Sequence, residues 1–143
     1  MNINELLSKG LIRKEIAKPD EIRGSIVIAK HFAERAEGNL EMDFYDTAFL
    51  LAYTGMFHAA KALLLKAGYK ERSHFGMVEA LKECYKGNRK ILNYAHILDT
   101  YRISRHAIQY NGELSSELDA IQAIKDCKLF ISAVNTELKS SKI

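Results

Sequence analysis

At 143 residues the chain has the length of one domain, and 48% apolar residues exclude a disordered polymer. A single proline and a composition rich in Ala, Leu, Ile, Lys and Glu argue for helices. A net charge of +3 falls short of a dedicated DNA binder, and Cys84 and Cys127, far apart in the chain, read as small buried hydrophobes of a reducing compartment.

Residues 2–9 predict a short helix ended by Gly10. Leu6, Leu7, Leu11 and Ile12 need a surface to rest on, so residues 1–17 are expected as an arm packed on a bundle of residues 18–140. Met1–Glu5 lacks the basic start and apolar core of a signal peptide. No apolar run is read as reaching the roughly 20 residues of a membrane span. A cytoplasmic protein with no membrane partner is therefore expected. Lys18-Pro19-Asp20-Glu21 opens the first main helix, with proline and acids where a helix N-terminus favours them. Its stripe is Ile22, Ile26, Ala29, Ala33 and Ala36, and Gly38-Asn39 is expected to close it.

Residues 42–67 predict the longest helix, with two adjacent apolar stripes, one through Tyr45, Phe49, Ala52 and Met56, the other through Leu50, Tyr53, Phe57 and Leu64. Its remaining strip, including Thr54, His58 and Lys61, reads as solvated. Gly68 ends this helix and Tyr69–Arg72 reads as a charged loop. Ser73 is the N-cap expected for a helix over 74–85, and Gly87-Asn88 breaks the chain before a helix from about Lys90 to Tyr110. Asn111-Gly112 is a turn signal, and Ser116 caps a last helix whose stripe is Ile121, Ile124, Cys127, Ile131, Val134 and Leu138. The polar tail from Lys139 to Lys142 is expected to fray. No strand pattern stands out. The fold class is all-α: an antiparallel bundle of four long helices and a shorter one, expected to be dimeric.

The chemistry concentrates in residues 99–110. Tyr94, Leu98, Tyr101 and Ile108 form an apolar helical stripe, and Arg105 falls on it. A guanidinium there needs an acceptor from its own chain, a second copy or a bound anion. Arg102, His106 and Tyr110 follow at i, i+4 and i+8, so all four side chains fit within about 140° of arc. Arg and His together suit an RNA phosphate, and Tyr suits a phosphate or a base face. An Arg paired with an acid of a facing helix is the competing reading. His58 and His74 are further ligand-binding candidates, against a solvated strip and a helix cap respectively. His31, His58, His74, His96 and His106 form no metal-ligand spacing, and no phosphate-binding glycine loop occurs, so neither metal nor cofactor is expected.

Three segments resemble the HEPN domain family (higher eukaryotes and prokaryotes nucleotide-binding), closest to its small stand-alone prokaryotic branch. They are Tyr45-Asp46-Thr47-Ala48 with Ala52–Leu64, then Ser73-His74-Phe75-Gly76, then Tyr101–Tyr110. The likeness covers roughly residues 18–138. It implies the helical bundle and a homodimer through these helices. Ribonuclease members carry Arg, a polar residue, spacers and a distal His. Arg105 matches the Arg and His106 the polar position, making these two the catalytic candidates, but Tyr110 stands at the distal His. The resemblance therefore implies a nucleotide- or RNA-phosphate-binding or partner-docking module. It also implies a separate nucleotidyltransferase chain as companion in a toxin–antitoxin-like pair. A metal-independent ribonuclease with an atypical Arg-His motif, and a structural interaction protein without ligand, are the alternatives.

Overall fold

The computed structural model of the chain describes residues 1–140. In order, its elements are α1 (Ile3–Ser8), β1 (Ile12–Lys14), α2 (Pro19–Glu41), α3 (Tyr45–Ala67), β2 (Tyr69–Glu71), α4 (His74–Cys84), α5 (Arg89–Asn111) and α6 (Glu117–Ser140). The protein is an all-α bundle, and α3 is its axis. It packs against α2, α6, α4 and α5, and α5 in turn touches α6.

Small residues explain the closeness of that packing. Ala48, Ala52 and Ala59 of α3 are fully buried, as are Ala29 and Ala36 of α2. Small side chains let the helix backbones approach, while Phe49, Tyr53, Met56 and Leu63 of α3 fill the core around them. At Gly55 a Cβ would stand 2.8 Å from Cys127 Sγ and 3.1 Å from the Ala29 carbonyl oxygen, so only glycine fits where α2, α3 and α6 meet. By length and composition alone α3 could cross a membrane, contrary to the sequence reading. Most of it is buried in the bundle, and that burial accounts for its apolar character.

Side-chain caps define most of the boundaries. Asn2, Ser73, Asn88 and Ser116 accept backbone N–H groups at the starts of α1, α4, α5 and α6. Gly68 and Gly112 close α3 and α5 in the left-handed region, at φ 97° and 71°.

Several expectations need correction. Helix α2 runs through Gly38-Asn39 to Glu41, since neither residue leaves the right-handed region; the turn comes at Asp43, with φ 62°. Helix α3 therefore starts at Tyr45 rather than residue 42. At 24 residues α6 is the longest helix, against 23 for α3. The loop expected at Tyr69–Arg72 contains a strand: Ile12–Lys14 pairs antiparallel with Tyr69–Glu71, Arg13 opposite Lys70. Three residues are too few to show an alternating pattern, and only Ile12 of β1 enters the core. Along α6, Ile121 is 41% exposed, while Ala120, Ala123 and Phe130 line the core. A stripe drawn through isoleucines overlooks alanines that face inward. Lys139 and Ser140 complete α6; the rest of the predicted tail lies outside the described residues.

The arm is held at α4. Leu6 is fully buried, Leu11 O accepts from Arg72 N at 2.9 Å, and Glu15 N donates to Gly68 O at 3.0 Å. A Cβ on Gly76 would fall on the Leu11 carbonyl, so this glycine sets how closely arm and α4 approach. The arm and the β pair thereby fix the turn that carries His74.

Candidate functional site

Arg105 projects from α5 towards α3 into a groove of about 330 Å³. Its guanidinium lies 5.9 Å from the centroid of the Tyr53 ring and 6.0 Å from that of Tyr110. It forms no ion pair or hydrogen bond with any described residue, whereas its neighbour Arg102 does. The groove is lined by Tyr53, Thr54, Phe57 and His58 of α3, by His74 of α4, and by Arg105 and Gln109 of α5, with Leu50 at its edge. Among the described residues, no carboxylate lines it.

His74 is built into this groove with a defined orientation. Ser73 caps α4 and so fixes the next residue at the helix N-terminus. The imidazole stacks on Phe57, with ring centres 4.3 Å apart, and its Nδ1 lies 2.7 Å from the Tyr53 hydroxyl. Burial, opposed in part by Arg105 and Arg102, pushes the Tyr53 phenol up to about 12, so it keeps its proton. Burial, then the charges of Arg105 and Arg102, lower the His74 pKa and keep the ring neutral. The hydroxyl has no other acceptor, so Tyr53 donates to Nδ1 and the ring proton resides on Nε2.

His58 sits further along the same wall. Its ring lies parallel to that of Phe32, centres 5.5 Å apart, and its Nδ1 is buried without a partner. Burial, then Lys61, lower its pKa, opposed by Glu71. Lys61 pairs with Glu71 across 3.4 Å, and the second Glu71 oxygen is also buried and unpartnered. The strip read as solvated is thus half enclosed by the β2 turn.

The four-residue cluster on α5 divides. Arg102 Nε donates to Asp99 Oδ1 at 3.0 Å, and its guanidinium rests over Phe75 at 5.6 Å. Lys82 approaches the same aspartate at 3.8 Å. His106 and Tyr110 are exposed and meet at a tilt of 46°, centres 4.9 Å apart, outside the groove lining. Of the predicted site residues, the structure gathers Arg105, His58 and His74 into one groove. It leaves His106 on the outer face and ties Arg102 to Asp99. Tyr53, Thr54, Phe57 and Gln109 were not foreseen as lining. Tyr53 and Phe57 lie on an apolar stripe and read as core; the available signal was the i, i+4 pair Thr54 and His58 beside them.

With the Thr54 hydroxyl already donated to Leu50 O at 2.8 Å, the groove offers one unpaired guanidinium, an imidazole N–H at a helix N-terminus and an amide. These are donors gathered where no carboxylate competes, the composition of an anion site. Among the described residues, no group of three or more His, Cys, Asp or Glu side chains is placed to hold a metal.

Residues 22–138 match the HEPN domain family. The chain is 28% identical over 127 residues to the "UPF0332 protein" of Archaeoglobus fulgidus, covering 86% of this chain and 99% of that one. It is 27% identical over 132 residues to "Putative toxin MJ0605" of Methanocaldococcus jannaschii, covering 92% and 97% respectively. The fold is shared with TT1696 from Thermus thermophilus, with a TM-score of 0.63 at 19% identity over 81% of this chain and 97% of that one. Matched in sequence from the second helix to the end of the last, and sharing its fold with a solved bundle, the chain belongs to the HEPN domain family.

Proposed function

We propose that the protein is a phosphate-binding module for nucleotides or single-stranded RNA, with Arg105 as anchor. The observation that carries this reading is a guanidinium without an acidic partner in a groove that no carboxylate lines. Arg105 supplies charge and a planar fork of donors for phosphate oxygens; His74 Nε2–H and the Gln109 amide supply further donors. Arg102 is half neutralised by Asp99 and adds long-range attraction. Tyr110, outside the groove but over Arg105, offers a ring face to a neighbouring base. Phe75, Ile103 and Tyr110 are exposed on α4 and α5, at 37%, 61% and 61%. That surface suits a second copy, which would turn the groove into a cleft between protomers. The relative named "Putative toxin MJ0605" supports a toxin-like role for this chain; a separate nucleotidyltransferase as companion rests on the family resemblance alone.

Fluorescence anisotropy with a labelled single-stranded RNA of about ten nucleotides tests the proposal, with mononucleotides as competitors. Loss of one charged hydrogen-bonding group costs about 1.5–3 kcal/mol, so Arg105→Ala is expected to weaken binding about 10- to 150-fold. Unchanged binding in that variant rejects the reading.

A second reading, metal-independent RNA cleavage, is favoured by one observation. His58 and His74 line the same groove and both have lowered pKa values, so both are neutral at pH 7, the form that can accept a proton. On this geometry His74, not His106, is the acid–base candidate beside Arg105. Incubation with RNA in EDTA distinguishes them: cleavage lost in His74→Ala and retained in His106→Ala supports the reading, and intact RNA rejects it.

A further inference from the structure

Helices α2 and α6 run antiparallel with a furrow between their outer faces. Three adjoining hollows mark it. The largest, about 480 Å³, has Ile26, Val27 and Leu138 as floor, with Arg23, Lys30 and Lys139 around it. One flanking hollow carries Pro19, Ile22 and Lys66; the other carries Ala33, Ile131, Glu34, Glu37 and Lys128. From Pro19 to Glu37 is 18 helical steps along α2, a furrow about 27 Å long at 1.5 Å per step. Its charge is uneven. Among the described residues, no carboxylate lines the central hollow or the one at Pro19. Lys30 has no acidic partner among the described residues, and the only one Arg23 has is the exposed Asp20, one turn away on its own helix. At the other end the lining is acidic: Glu37 pairs with Lys128 at 2.7 Å, and Glu34 has no cationic partner among the described residues. Val27, in the floor, is 54% exposed.

We propose that this furrow docks an acidic amphipathic helix of a partner protein. Its length suits about five helical turns, the apolar floor suits residues at i, i+3, i+4 and i+7, and the cations suit acidic residues flanking that stripe. The helix lies with its most acidic turns towards Pro19 and Lys139. The furrow and the Arg105 groove share no lining residue, so the partner leaves that groove open.

The test uses a labelled 18-residue peptide with leucines at helical spacing and glutamates on both flanks, titrated into the intact protein. A second peptide has the same composition in scrambled order, and a third carries lysines for glutamates. Saturable binding of the first peptide alone is expected, weakened at least tenfold by Lys30→Glu with Lys139→Glu and also by Val27→Asp. The lysine peptide is expected to bind the double variant. Arg105→Ala is expected to leave peptide binding unchanged, which separates this site from the phosphate groove. All these positions lie at the surface, and circular dichroism checks that each variant is folded. Equal binding of the scrambled peptide, or no effect of the charge reversals, overturns the proposal. So does a dimer in sedimentation that Val27→Asp dissociates, since the furrow is then covered by a second copy.

Discussion

Substituting Tyr53 by Phe removes one oxygen and leaves the ring in place. Tyr53 is 1% exposed, and its hydroxyl is the only partner of His74 Nδ1, at 2.7 Å. An unsatisfied buried acceptor costs about 1–3 kcal/mol; His74 is half-buried, so about 1–2 kcal/mol is the expected loss. Unfolding entropy near 2.1 cal/mol/K per residue gives about 0.3 kcal/mol/K for 143 residues, so the melting temperature should fall about 3–7 °C. Calorimetry measures that fall. Nitrogen-15 spectra of the imidazole test the reasoning behind it, since Nδ1 should appear unprotonated and hydrogen-bonded and Nε2 protonated. In Tyr53→Phe the Nδ1 signal should move towards that of a free acceptor. A melting temperature within 1 °C of the parent, or a proton on Nδ1 in the parent, refutes the argument that Tyr53 fixes His74 as a donor into the groove.

The remaining predictions concern the arm, acid sensitivity and the outer histidine. Gly76→Ala drives a Cβ onto the Leu11 carbonyl, an overpacking cost of about 1–3 kcal/mol. Amide exchange should accelerate first in Ile12–Lys14 and Tyr69–Glu71, and uniform acceleration across the bundle contradicts the local reading. His58 and His74 have folded pKa values below 6.5 because burial disfavours their charged forms. The unfolded chain therefore binds more protons than the native one just below pH 6.5. The stability these rings confer is complete above that pH and is lost as pH falls through 6.5 towards their folded values. Melting temperature should fall between pH 7.5 and 5.5 and flatten in a His58→Gln/His74→Gln variant; a rise towards acid opposes the assignment. His106→Ala should leave phosphate affinity within about twofold, since the ring lies outside the groove, and a tenfold loss returns His106 to the site.

The sequence carried the bundle well because its signals were local. Ser73, Asn88, Gly112 and Ser116 mark helix ends by capping chemistry that needs no tertiary information. The β1–β2 pair was hidden because its two strands are short and far apart in the chain. Arg105 was recognisable as a misfit on an apolar stripe. Its companions were not, because arc on one helix says nothing of the helix opposite. Arg102, three residues earlier, has Asp99 one turn back to satisfy it, while Arg105 meets only the rings of Tyr53 and Tyr110. Tyr53 and Phe57 look like core in sequence and are core in structure, yet their outer edges form the groove wall. His74 reads as a bystander to a cap until the Tyr53 hydroxyl is seen beside it.

The most direct test of an Arg105-centred phosphate site is a titration of the isotope-labelled protein with a 5′-mononucleotide, following the Arg105 side-chain Nε–H and the His74 imidazole. The account predicts saturable shifts of both signals with one common dissociation constant, and no comparable shift at Arg102 or His106. Shifts confined to Arg102, or signals of Arg105 and His74 that stay fixed while the ligand binds elsewhere, contradict it.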